Sequence, residues 1–450
     1  MLTQPSYLMT SNSPITERDN LVPVAILSLV VGAAAGFIGA LFRLALDQAD
    51  FFRNALIRWS HGFPVVGLGV IVAACAAATG IAAWLVRRFA PHASGSGIPH
   101  TEAVLEGAVP PPGTGLIPVK FVGGVLSIGS GLALGREGPT VQVGASIGYF
   151  IGKTMRRPWT DCRVLMAAGA GAGLATAFNA PIAGAIFVLE ELVRRFETQI
   201  AIAALGASAT AMVVARIFLG DVPELKMTPL SYPSALANVD FVALGIVAGF
   251  VAVAYNRAIL SSLGLIDGFK RRPIEMRAAI IGGLVGIVAW FAPQLVGGGE
   301  ALAQHSIDGA FLPGVLGFVF LLRFVLGPVS YAAATPGGLF APLLALGAQI
   351  GLLCYAVVHY FQLDFGASST AFAVVGMAAF FTGVVRAPVT GIVLITEMTA
   401  SFSMLLPMLG ACFAAMLIPT LLNCPPIYTS LSLLDSRTET VEVATEEKVG

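Results

Sequence analysis

Charged side chains are scarce in this chain. Only 11% of its 450 residues are Asp, Glu, Lys or Arg, against roughly 25% in soluble domains. Positions 21–42 and 64–86 carry none at all, and each run exceeds the ~20 residues that cross a bilayer. Further charge-free runs cover 278–299, 324–363, 365–385 and 398–434. A soluble fold would have to hide all of them in one core, which excludes it and predicts a polytopic, all-α membrane protein. A surplus of either charge is also missing: 25 basic residues balance 25 acidic ones. No nucleic-acid partner is therefore indicated.

Cysteine and histidine are equally sparse, five of each. Cysteines 75, 162, 354, 412 and 424 show no metal-ligand or redox spacing, so they read as residues of the protein interior. No nucleophilic triad or metal cluster is present, and Gly135–Pro139 lacks the Gly-Lys-Ser/Thr ending of a nucleotide loop. Neither a cofactor nor an enzymatic reaction is expected. A membrane-embedded enzyme would need a second catalytic group beside Glu137, and none accompanies it. The first apolar run, after a polar segment over 1–20, has no cleavage pattern of small residues, so it is expected to remain as a helix.

Glycine is what the chain has in abundance, with 51 residues. Small residues let membrane helices approach closely, and glycine permits non-helical backbone where a cavity is lined. Many apolar runs are interrupted by Gly-Pro clusters, which predicts broken helices.

The chain also repeats itself. Phe89-Ala90-Pro91 with Gly95 and Gly97 matches Phe291-Ala292-Pro293 with Gly297 and Gly299, 202 positions later. Gly135-x-x-x-Pro139 with Gly144, Ala145, Ile147 and Gly148 matches Gly338-x-x-x-Pro342 with Gly347, Ala348, Ile350 and Gly351, 203 later. Ala180-Pro181-x-x-Gly184 with Glu190 matches Ala387-Pro388-x-x-Gly391 with Glu397, 207 later. Three matches in constant order predict two repeats, over 21–220 and 237–434, joined by a linker over 221–236 and followed by a tail over 435–450.

Loop charge bears on their orientation, because Lys and Arg collect on the cytoplasmic side. Loop 153–163 holds Lys153, Arg156, Arg157 and Arg163, whereas its counterpart near 359–368 holds no Lys or Arg. Loop 264–277 holds Lys270, Arg271, Arg272 and Arg277, against Arg53 and Arg58 in its counterpart. The same element is basic in one half and poor in base in the other, as two halves of opposite topology would be. Inverted repeats of broken helices place a substrate site near the bilayer midplane.

Three short segments carry the chemistry: Gly95-Ser96-Gly97-Ile98-Pro99, Gly135-Arg136-Glu137-Gly138-Pro139 and Gly338-Leu339-Phe340-Ala341-Pro342. In each, Gly and Pro flank the start of an apolar helix. The unpaired N–H groups there, with the helix dipole behind them, form an anion site. Stripping an ion of water costs on the order of 20 kcal/mol, and one helix end returns only about 0.3–2 kcal/mol. Several such ends must therefore converge. Partial charges also let a transported ion leave again, where a fixed Lys or Arg would hold it.

Glu137 has its own logic. A carboxylate beside a cluster of N–H donors competes with the anion the cluster suits, and intramembrane carboxylates are costly and functional. Protonation removes its charge, so proton uptake and anion access become linked. A salt bridge to Arg136 is disfavoured, since adjacent helix residues diverge.

In this order and spacing, GSGIP, GREGP and GGLFAP resemble the three signature segments of the CLC family of chloride channels and transporters. The similarity runs from about residue 21 to 435 and includes Ala177-Phe178-Asn179-Ala180-Pro181 and Pro426-Ile427-Tyr428. It implies about eighteen helices and a homodimer with a pathway in each subunit, the contacts lying around 185–220 and 400–425. It further implies that Ser96 and Tyr428 offer hydroxyls to a central chloride and that the N–H groups of Leu339 and Phe340 complete the site. By the same resemblance, Glu137 is the external gate and the N–H of Gly138 serves an outer site. Glu191 matches the internal proton-transfer glutamate of the exchanger branch, with Glu190 beside it on the proton path. These imply a chloride/proton antiporter; the alternative is a passive chloride channel of the same fold.

Ser96 points to chloride, since nitrate-preferring relatives carry proline there, with bromide or nitrate passing less strictly. Glu102, Glu106, Lys120, Arg323, Arg386 and Glu397 are expected to pair or cap, Glu102 near the inner mouth. His100 is read as mouth-lining, and Trp59 and Tyr360 as interfacial anchors. The short tail leaves no room for cytoplasmic nucleotide-sensing domains. A compact prokaryotic-type protein of the inner or plasma membrane with cytoplasmic termini is expected.

Overall fold

In the computed structural model, described for residues 14–434 except 222, 229, 233, 235, 269–271, 310–312 and 363–365, small residues decide which helices meet. A Cβ at Gly144 or Gly148 would overlap the carbonyl of Gly169 or Leu165, and one at Gly173 the carbonyl of Thr140. The second half repeats this: Gly347 lies against Gly376, and Gly351 against Phe372. Only glycine allows such backbone-to-backbone approach.

The first half runs α1 (Pro14–Ser60), α2 (Pro64–Phe89), α3 (Ile98–Leu105), α4 (Leu116–Gly129), α5 (Glu137–Thr154), α6 (Trp159–Phe178), α7 (Pro181–Phe187) and α8 (Thr198–Leu219). A π turn over Val188–Leu192 extends α7. The second half follows the same order with α9 (Ala237–Asp267), α10 (Ile274–Phe291), α11 (Glu300–Ile307), α12 (Pro313–Tyr331), α13 (Phe340–Tyr360), α14 (Ser369–Val385), α15 (Pro388–Thr399) and α16 (Leu405–Leu421). A last helix, α17, covers 427–434. These are seventeen helices among the described residues, where about eighteen were expected.

Among the described residues, eight helices are long and apolar enough to cross a membrane, and the chain is a multi-pass integral membrane protein. Others are too short to span: α3 and α11 have 8 residues each, about 12 Å at 1.5 Å per residue against a ~30 Å core. Glycine sets where they begin. Gly97 and Gly299 each precede their helix with φ of 81° and 105°, a left-handed backbone that other residues adopt at a cost.

The inversion is visible in one pair of helices. Glu397, near the end of α15, accepts from the N–H groups of Ile182 (3.1 Å) and Ala183 (2.8 Å) at the start of α7. Glu190, beyond the end of α7, accepts from Val389 N (3.0 Å) and Thr390 N (2.6 Å) at the start of α15. Each helix therefore begins where its counterpart ends, so the two run antiparallel. Trp59 and Tyr360 are exposed. Lys270, Arg271, Pro229, Pro233 and the tail over 435–450 lie outside the described residues, as does most of the polar N-terminal segment.

Candidate functional site

The three Gly-Pro segments converge. Gly135 and Gly338 exchange both backbone hydrogen bonds, Gly135 N to Gly338 O at 2.8 Å and Gly338 N to Gly135 O at 2.7 Å. Gly95 N donates to Thr335 O (3.1 Å) and Gly337 N to Gly95 O (3.0 Å). The starts of α3, α5 and α13 are thus tied at one point by backbone from both halves.

Buried cations hold the non-helical loops open. Lys120, fully buried in α4, donates from Nζ to Ala93 O (3.0 Å) and Gly95 O (2.8 Å). Its counterpart 203 positions later, Arg323 in α12, donates to Leu295 O (3.1 Å), Gly297 O (2.9 Å) and Gly298 O (3.3 Å). Carbonyls freed by breaking the helix are thereby satisfied, as the absence of water in a bilayer demands.

Glu137 occupies the centre. It is the first residue of α5, fully buried, and its Oε1 accepts from the N–H of Phe340 at 2.5 Å. Its carboxylate therefore sits where an anion would meet that donor. A Cβ at either Gly135 or Gly338 would overlap this carboxylate, so both motif glycines clear its space. Gly138 packs against Ser96, with room for no side chain: a Cβ would lie 2.6 Å from Ser96 Oγ. Glu137 Oε2, Ser96 Oγ and Tyr428 OH are buried, with the Ser96 and Tyr428 hydroxyls facing each other. Buried polar atoms with so few partners among the described residues, gathered around one amide cluster, mark a place built for a polar guest.

Aromatic rings wall this place. Phe340 lies 4.7 Å from Phe381, 5.7 Å from Phe187, 5.9 Å from Tyr428 and 6.4 Å from Phe178, between ring centroids. Leu339, Phe340 and Tyr428 are fully buried. The structure thus brings together Ser96, Glu137, Gly138, Leu339, Phe340 and Tyr428.

Glu191 lies apart from these residues, in the π turn. Such turns recur at functional positions. Arg194 Nη2 reaches Glu102 Oε1 (2.9 Å), Glu191 Oε1 (3.5 Å) and Thr429 Oγ1 (3.2 Å), the residue after Tyr428. Glu191, Arg194 and Thr429 border a cavity of about 630 Å³ lined also by Arg195, Arg386 and Pro426. Tyr428 lies within electrostatic reach of both Glu137 and Glu191. Glu190 lines the same cavity, yet both its oxygens are engaged at the start of α15, one also with Thr390 Oγ1 (2.7 Å). Glu102 pairs and Glu397 caps as expected. Arg386 holds Thr420 Oγ1 and Cys424 O, both at 2.6 Å. His100 stacks on His92 at 4.6 Å and meets Gln142 Nε2 at 3.2 Å.

Sequence reasoning missed Glu224. From the linker it pairs with Arg136 and, at 2.7 Å, with Arg43. The only signal was a linker more acidic than basic.

Residues 78–420 match the family described as voltage gated chloride channel. The chain belongs to the CLC family. Within it, the chain is similar to the H(+)/Cl(-) exchange transporter ClcA of Salmonella arizonae, 36% identical over 427 residues that cover 93% of this chain and 90% of that protein. The structure is similar to that of a slow cyanobacterial Cl-/H+ antiporter, with a TM-score of 0.87 and 32% identity over 92% of this chain and 97% of the other. A CLC-type fluoride/proton antiporter shares the fold, with a TM-score of 0.74, 22% identity, and 91% and 97% coverage.

Proposed function

We propose that the protein is a secondary active antiporter that exchanges chloride for protons through a pathway within each subunit. The observation that carries this reading is the hydrogen bond from Phe340 N to Glu137 Oε1. A carboxylate in the anion's place leaves only when it takes up a proton, and chloride then reaches the amides of Leu339 and Phe340 and the hydroxyls of Ser96 and Tyr428. The N–H of Gly138 serves the outer position. Glu191 passes protons to and from the inner cavity, and Tyr428 stands between the two carboxylates. Bromide and nitrate follow the same route less strictly, since amide dipoles and hydroxyls discriminate anions weakly.

The protein works as a homodimer in the inner or plasma membrane of a prokaryote, with both termini cytoplasmic. Supporting the dimer, the Glu190–Glu397 caps sit on helices whose Ile182 and Val389 are half exposed. Exposed apolar side chains such as these give a second copy a face to cover. The basic loop after α5 supports the orientation.

The test is purified protein in liposomes. A chloride gradient should drive protons uphill, and Glu137→Ala should leave chloride flux while abolishing its dependence on protons. Chloride flux with no proton movement in the unaltered protein establishes a passive channel instead, and no flux of either ion sinks both readings.

A further inference from the structure

The linker between the halves is fastened over the gate. Glu224 accepts from Arg43 Nη2 at 2.7 Å and from Arg136 Nη2, and both guanidinia also donate to the end of α6, to Thr176 O (3.2 Å) and Ala177 O (2.9 Å). The next residues fasten the linker to the second half. Leu225 N donates to Met398 O (3.1 Å), and Lys226 N donates to Gln304 Oε1 (2.8 Å), whose Nε2 returns a bond to Lys226 O (2.7 Å). One carboxylate is therefore clamped between the buried Arg136 and the partly buried Arg43, on backbone held from both repeats.

Arg136 precedes Glu137 and is 7% exposed. A buried cation next to the gate favours the gate's charged form, and in a low dielectric its reach is long. Glu224 opposes that charge. The other charged groups around this cluster are Asp47 on α1 and Glu300 on α11, the latter 3.8 Å from Arg136 Nε, with Asp50 and Arg53 beside them on α1. Tyr428 faces the gate from α17. Among these, Glu224 alone touches both arginines at ion-pair distance among the described residues.

We infer that Glu224 is a positioning residue for proton-coupled exchange, a linker-borne counter-charge that keeps Arg136 from locking Glu137 in its charged state. The inference rests on the gate reading above. It acts through Arg136, so neither substrate need touch Glu224.

Four variants in liposomes test it, Glu137→Ala among them as the background, with chloride flux followed from pH 4 to 8 and proton flux alongside. Glu224→Gln should move the half-maximal point of chloride flux acid by about one pH unit, because a net positive charge is added near the gate. Glu224→Asp should restore most of the profile. In a Glu137→Ala background, Glu224→Gln should leave the profile where it was, since no gate remains to respond. An unshifted profile for Glu224→Gln overturns the inference. An equal loss of flux in both backgrounds at every pH also overturns it, by showing a role in folding alone. If Glu137→Ala keeps the full pH dependence of the unaltered protein, the gate reading itself fails, and this inference fails with it.

Discussion

Glu190 and Glu397 are repeat counterparts, and each caps the helix that begins the other's motif. Glu190 holds the start of α15 and Glu397 the start of α7. One sequence relationship, a glutamate nine residues after a proline, is thereby closed into a reciprocal clamp between the halves. Carboxylates at helix N-termini satisfy orphan N–H groups and complement the dipole.

If capping is the main task of these two residues, Glu190→Gln and Glu397→Gln should behave alike. Each should destabilise the protein by about 0.5–2 kcal/mol, the usual cost of a lost cap, as read from denaturation in detergent. Proton flux should survive in both. A Glu190→Gln variant of full stability that loses proton transport would instead place Glu190 on the proton path.

Gly338 has no side chain because the Glu137 carboxylate lies there. A methyl group would meet Glu137 Oε1 and approach Gly138 N to 2.8 Å. The carboxylate is the mobile partner, so Gly338→Ala should push it off the Phe340 amide. Chloride flux should then depend less on pH, with fewer protons moved per chloride. A wild-type coupling ratio in this variant would argue that the carboxylate does not rest on that amide.

How much of this was readable in the sequence divides along a physical line. The three helix starts were legible because backbone geometry there leaves few residue choices: Gly97 must be left-handed, and Gly135 and Gly338 must yield space to Glu137. The repeat was legible for the same reason. Which groups pair across the fold was not. Arg43 and Glu224 lie 181 residues apart, and nothing in either neighbourhood announces the other. Lys120 and Arg323 are expected to pair or cap, but which backbone carbonyls they hold leaves no sequence trace at all. Glu190 shows the remaining ambiguity: its spacing marked it as special without saying which N–H groups it would meet.

Glu191 is held by Arg194 at 3.5 Å, and Arg194 is shared with Glu102 and Thr429. Glu191→Gln keeps the shape and removes the titrating group. Proton transport should fall at least tenfold while chloride still moves, measured with paired proton and chloride electrodes. Thr429→Val removes one tie of Arg194 and should lower proton flux less than Glu191→Gln. Unaltered proton flux in Glu191→Gln would remove that residue from the relay.

Glu224 also makes a prediction about stability. Burial pushes its carboxyl up, but the Arg136 and Arg43 guanidinia outweigh burial and hold it below the ordinary value of 4.5. A carboxyl depressed in the folded state stabilises the fold fully above its unfolded value. That contribution disappears as pH falls through the folded value. Glu224→Gln should therefore flatten the acid limb of a stability-against-pH curve in detergent, with the loss confined to pH below about 5 in the unaltered protein. Parallel curves for the two proteins across that range would show that the ion pairs contribute nothing to the fold.

Lys120 and Arg323 separate structure from transport. Both are buried cations on carbonyls, two for Lys120 and three for Arg323, and a hydrogen bond to a charged group is worth about 1.5–3 kcal/mol. Methionine at either position leaves those carbonyls bare in a water-poor interior, so each variant should lose several kcal/mol of stability by that measure. Their loops differ, however. Lys120 holds Gly95, next to Ser96, whereas Arg323 holds Gly297 and Gly298, where the second half has no serine. Chloride binding, followed by calorimetry on the detergent-solubilised protein, should weaken at least tenfold in Lys120→Met and far less in Arg323→Met. Equal weakening in both would mean that the loop at Ser96 is not specifically tuned by Lys120, and that general loosening of the fold explains the loss.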